Sequence, residues 1–192
     1  MKMTKKNNKL FPFAWVLLAL VIMAFIAYYL YEHRFKGQPA ANVPVAKLIE
    51  QHENDSTVAA YIHFVSDQNG KMGLDHAYTN EALIKLANAV STMSKLTGYS
   101  IKADLAEAET DANNITRDPL AITHADNIRK AADILSEALY NLQQQKYPSL
   151  SDYAARVKAA AAQIDPDTLT LEQKEKVKGF FSAAAALLEK MN

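Results

Sequence analysis

Leu120 to Lys146 reads LAITHADNIRKAADILSEALYNLQQQK. Leu120, His124, Ile128, Ala131, Leu135, Ala138, Leu139 and Leu142 recur at three- and four-residue spacing, which is one face of a helix. Asp126, Arg129, Lys130, Asp133 and Glu137 lie off that face. A helix with a single apolar stripe has to bury it against other helices, so the stretch predicts a helical bundle. Asp118-Pro119 reads as an N-cap followed by a first-turn proline, and Pro148 marks the end.

The same pattern recurs downstream. Ser151 is expected to cap a short helix to Ile164, with Val157, Ala160, Ala161 and Ile164 inward. Asp165-Pro166-Asp167 reads as a turn. Thr170-x-x-Gln173 has the form of a capping box for a last helix reaching about Met191. Its face is Val177, Phe180, Phe181, Ala184, Leu187, Leu188 and Met191. The alanine runs at 159–162 and 183–186 have two readings: small side chains that let backbones approach, or simply a good helix former.

Upstream, Tyr99 to Ile115 carries a narrow stripe of Ile101, Leu105, Ala108, Ala112 and Ile115. Before it, a helix from Thr79 or Asn80 to Thr97 buries Leu83, Leu86, Ala87, Val90 and Met93, and Gly98 sits where a C-terminal cap belongs. Asn69-Gly70 is a turn signal inside the irregular stretch 67–80. Val45 to about Asp67 is expected to be helical, with Val58, Tyr61, Ile62 and Val65 on one face and a break near Asn54, where Asp55 or Ser56 can start a fresh helix. TVAAYIHFV, residues 57–65, also suits a strand, but no partner strand is evident elsewhere. The sum is an all-α chain with an antiparallel bundle of five to six helices over residues 45–192.

Residues 10–31, LFPFAWVLLALVIMAFIAYYLY, form a charge-free run of 22 residues. As a helix the run spans about 33 Å, enough to cross a bilayer core of about 30 Å. Phe11, Phe13 and Trp15 at one edge and Tyr28, Tyr29, Tyr31 and Phe35 at the other suit the headgroup level. Lys2, Lys5, Lys6 and Lys9 precede the run and Arg34 and Lys36 follow it, so the basic bias keeps the N-terminus in the cytoplasm. A cleaved signal peptide fits less well, because the apolar core is too long and no small-x-small site follows. The expected layout is a cytoplasmic tail at 1–9, a transmembrane helix at 10–31, a linker at 32–44 containing GQPAANVP, and an exported domain at 45–192. Alanines 14, 19, 24 and 27 give no Gly-xxx-Gly seam, so a lone anchor in lipid is expected.

Residues 37–192 carry 15 basic and 20 acidic side chains, a net of −5. That balance argues against nucleic acid and against broad docking on an anionic membrane. The chain has no cysteine, which removes disulfides, thiolate metal sites and cysteine nucleophiles, and favours a bacterial inner-membrane protein facing the periplasm. The sequons at Asn54 and Asn114 read as coincidence.

No motif declares chemistry. Glu-x-x-His is absent, and His52-Glu53 fails to extend into His-Glu-x-x-His, since position 56 is Ser. Asp67-x-Asn69-Gly70 places its glycine too early for a calcium loop. The weak candidates are His63 and Asp67, four apart on one helix; His124, on an apolar face; and Asp75, His76 and Tyr78 in the polar stretch before the second helix. The bland readings are a solvated His–Asp pair, a packed histidine, and loop packing by His76 and Tyr78 with Thr79 as the cap. A distant serine such as Ser91 or Ser94 is the one conceivable nucleophile for Asp75 and His76. No metal, cofactor or catalytic set is expected. The sequence favours a membrane-anchored interaction or accessory protein, not an enzyme, whose partners are the bilayer and another protein or a second copy. The alternative is a ligand- or metal-sensing periplasmic helical domain.

Overall fold

A computed structural model describes residues 45–67, 76–117 and 124–192, together with Met23 and Tyr28. The chain divides into two units, Met1–Pro44 and Val45–Asn192. In the first, Met23 and Tyr28 are helical and exposed. The rest of the expected tail, span and linker lies outside the described residues. Among the described residues no helix is long and apolar enough to cross a membrane.

The second unit is an all-α bundle of six α-helices among the described residues: α1 Val45–Asp67, α2 Ala77–Thr97, α3 Lys102–Arg117, α4 His124–Lys146, α5 Ser151–Ala162 and α6 Lys174–Met191. Each helix packs on the next, and α1 closes against α6. The long helix α4 also touches α2 and α6. Side-chain bonds give the directions. Thr57 near the middle of α1 meets Thr92 near the end of α2 at 2.6 Å. Asn80 at the start of α2 donates to the Ala112 carbonyl at the end of α3 at 2.7 Å. Arg129 at the start of α4 donates to the Ala162 and Ile164 carbonyls at the end of α5. Neighbours therefore run antiparallel, as short connections require.

The stripes expected from spacing are the core. Leu83, Leu86 and Met93 of α2, Ile115 of α3, Ile128, Leu135, Leu139 and Leu142 of α4, and Phe180, Phe181, Leu187 and Leu188 of α6 are all fully buried in one cluster. Tyr61 joins them, and its hydroxyl donates to the Phe181 carbonyl at 2.9 Å. Burial, with Tyr78 adding to it, pushes that hydroxyl well above its ordinary range, so it stays a neutral donor.

Several local expectations are corrected. Helix α1 is continuous through Asn54, and residues 57–65 are helical, with no strand among the described residues. The Ser56 and Thr57 hydroxyls bond back to the Glu53 and Asn54 carbonyls instead of opening a new helix. Asn54 is buried and its amide donates to Asn192 at the end of α6; a tertiary contact holds the position that looked like a break.

Helix α2 starts at Ala77, with His76 as its N-cap residue, so Thr79 is a buried first-turn residue and not the cap. Ser151 lies inside α5, after a 3-10 turn at Pro148–Leu150. The capping box does not form. Helix α6 begins at Lys174, and the Gln173 side chain instead binds the backbone of Asp165 and Thr168. Gly98 caps α2 as expected, at φ 71, with the Gly98 and Tyr99 N–H groups bonding back to Lys95 and Ser94. The predicted Asp118-Pro119 start of α4 falls outside the described residues.

Candidate functional site

One pole of the bundle gathers the end of α1, the start of α2, the end of α3 and the N-terminal end of α4. Five of the six sequence candidates lie there by chain position, and the packing sorts them. His63 and Asp67 sit on the last turns of α1, 3.8 Å apart and 78% and 66% exposed. That is a solvated i,i+4 pair, worth little in water. Tyr78 is a packing residue. Its ring stacks on Phe64 at 5.3 Å, meets Phe181 edge-on at 6.1 Å, and is buried. Burial raises its hydroxyl above the usual range. Asp75 lies outside the described residues.

His76 and His124 are brought together. Their rings stack with centroids 4.0 Å apart and planes 27° apart. His76 is the N-cap residue of α2, at φ −84 and ψ 3. Its carbonyl accepts the Asn80 N–H at 3.0 Å, while its side chain makes no capping bond. His124 is 6% exposed, and both of its ring nitrogens are buried without a hydrogen-bond partner. A neutral imidazole carries one donor and one acceptor, and leaving both unmet in the interior is costly.

Other polar groups lie on the neighbouring helices. Asp111 of α3 has one buried carboxylate oxygen without a partner. Burial raises its carboxyl above the ordinary range; Lys130 pulls it partly back, and Glu107 and Asp126 push it up again. Asp126 in α4 is held by Lys130 at 2.6 Å. Among the described residues no group of three His, Asp or Glu side chains is arranged to hold a metal ion.

Ser91 and Ser94 lie towards the other end of α2, about 23–27 Å along the helix from His76. The Ser94 hydroxyl donates to the Ser91 carbonyl, and neither serine can complete a triad with His76 across that distance. They line a different feature, a cavity of about 570 Å³ at the α2–α3 corner bounded by Ser91, Ser94, Lys95, Tyr99, Ser100 and Leu105. Its walls offer hydroxyls and one ammonium. Sequence reasoning missed this cavity. The i, i+3, i+4 spacing of Ser91, Ser94 and Lys95 was visible, but a corner becomes a cavity only when α3 folds back on α2.

Comparison of the chain with protein families, with curated proteins and with solved structures found no match. What the fold defines is an all-α helical bundle.

Proposed function

We propose that this chain is a single-pass inner-membrane protein, N-terminus in the cytoplasm, whose exported bundle binds a partner protein as an accessory or assembly subunit. Leu48 and Ile49 carry this reading. Residues 46–53 of α1 are exposed, ahead of the first buried position at Asn54. Leu48 and Ile49 stand side by side on them at 52% and 61% exposure. Burying the exposed half of each side chain against a partner is worth about 1–1.5 kcal/mol each. Glu50 and Glu53 on the same turns, and the net −5 of residues 37–192, favour a protein over an anionic lipid surface. The short linker after the apolar run at 10–31 supports an encounter close to the bilayer.

The test is cross-linking of the full-length protein in its native membrane, read by mass spectrometry. One recurrent partner at near-equal stoichiometry, linked through Lys47, is expected. A Leu48→Asp, Ile49→Asp double variant is expected to lose that partner and keep its helical content. Self-links alone, or links confined to lysines of other helices and unchanged in the variant, would overturn the proposal.

A further inference from the structure

We infer that the cavity at the α2–α3 corner binds a small amphipathic acid, a molecule with an apolar body and one carboxylate. The site is separate from the partner surface at Leu48 and Ile49. Its volume of about 570 Å³ lies inside the range of roughly 300–1,000 Å³ that holds a drug-sized molecule. The cavity is the space left where the chain reverses between Gly98, which ends α2, and Lys102, which begins α3.

The walls are mostly apolar and held in place by the fold. Ile101 and Leu105 are 3% and 5% exposed and belong to the core. Ser94 is buried too, and its hydroxyl donates to the Ser91 carbonyl at 2.8 Å, which leaves its oxygen free to accept. Tyr99 is half-buried and packs on the same core. A pre-formed apolar lining with a few polar groups takes a ligand whose larger part is apolar.

Lys95 sets the sign of the rest. Among the described residues it is the only charged one that lines the cavity. Its partner is Glu53 of α1, at 3.7 Å, with both side chains more than half exposed. Such a pair is weak in water, so a ligand carboxylate can take the place of Glu53. Asp104, next to Leu105, lines a different groove with Asp133 and Glu137. The helix ends do not decide the sign, because the negative end of α2 and the positive end of α3 meet here and oppose one another. The Gly98 and Tyr99 N–H groups already occupy the Lys95 and Ser94 carbonyls. One ammonium matches one negative charge, and the hydroxyls of Ser91 and Ser100, which also line the cavity, are donors of the kind a carboxylate accepts from.

The acid has two sources, a free aromatic solute or a membrane-derived fatty acid, and the arms of one titration separate them. The full-length chain, ¹⁵N-labelled in maltoside micelles, is titrated with phenylpropionate, octanoate, phenylpropanamide and acetate at matched ionic strength. The Gly98, Tyr99 and Ser100 amides are expected to shift saturably with at least one of the two amphipathic acids. Phenylpropanamide, which lacks the charge, and acetate, which lacks the body, are expected to bind about fivefold more weakly or not at all. Saturation by octanoate alone assigns the site to a fatty acid; saturation by phenylpropionate alone assigns it to a solute. Lys95→Met keeps the apolar stem and is expected to weaken acid binding by about fivefold while leaving the neutral amide unchanged. Glu53→Gln removes the competing carboxylate and is expected to tighten acid binding by about twofold. Both positions are exposed, so neither change threatens the fold. The inference fails if neither acid shifts the corner amides, if phenylpropanamide or acetate binds as tightly as the acids, or if Lys95→Met binds them like the parent.

Discussion

Asp111 carries a charge its surroundings do not satisfy. One of its oxygens is buried without a partner, and burial is the largest influence on its carboxyl, holding it above the ordinary range. A carboxyl raised in the folded state works against folding once it ionises, and the penalty is relieved as pH falls through its folded value. Asp111→Asn removes the charge and keeps the shape. It is expected to be more stable than the parent at pH 7 by about 1 kcal/mol or less, because the residue is only partly buried and gives up its attraction to Lys130. The advantage should shrink on acidification, as measured by urea unfolding at pH 7 and pH 4; a constant difference would mean the charge is not the cause.

Asp165 has the opposite sign. The Asp167 N–H and the Thr168 hydroxyl hold its carboxyl below the usual range. Its contribution is present above the unfolded value and is lost as pH falls through the folded one. For that reason the Asp111 effect is read as a difference between variant and parent. His124 is the residue whose placement was half legible: its position on the α4 stripe foretold burial, while its stack on His76, from a distant part of the sequence, did not show in any local pattern.

At the scale of elements, the alanine runs divide between the two roles considered for them. Ala161 and Ala184 are fully buried, whereas Ala159 and Ala162 are exposed. Ala160, Ala183 and Ala185 are half-buried and also pack on the core, so both runs supply packing positions, and the exposed Ala159 and Ala162 serve helix formation. Ala184→Leu is expected to overpack the core and cost about 1–3 kcal/mol, while Ala162→Leu should stay within about 0.5 kcal/mol of the parent. Urea unfolding of the two variants side by side checks this, and equal effects would remove the distinction.

Helix existence and faces were legible because burial imposes a 3.6-residue period on the sequence. Helix starts were less so. Thr79, Ser151 and Thr170 all looked like caps, and none is the N-cap residue of its helix. Capping depends on where the chain enters the helix, and at α6 the Gln173 amide found better partners in the preceding loop.

For the whole molecule, the second unit has its own continuous core, drawn from all six helices. Polar bonds close it at both ends: Asn54 with Asn192 joins α1 to α6, and Arg129 joins α4 to the end of α5. Residues 45–192 expressed alone are therefore expected to fold and to unfold in one cooperative transition. Trp15, the single tryptophan, is removed with the N-terminal unit, so far-UV circular dichroism and tyrosine near-UV signals are the two probes. Coincident midpoints are the expected result. A broad or biphasic transition would mean that the bundle needs the N-terminal unit.

The sequence by itself determined that the second unit is built of helices, which faces of them turn inward, and where Gly98 ends α2. Those properties depend on periodic burial and on backbone conformation at single positions, and both are written locally. Tertiary structure decided the rest: that α1 runs unbroken through Asn54, that Gln173 serves a loop, and that His76 and His124 share one stack. Each of these is an interaction between segments far apart in the chain, and its free energy exists only once the helices have packed.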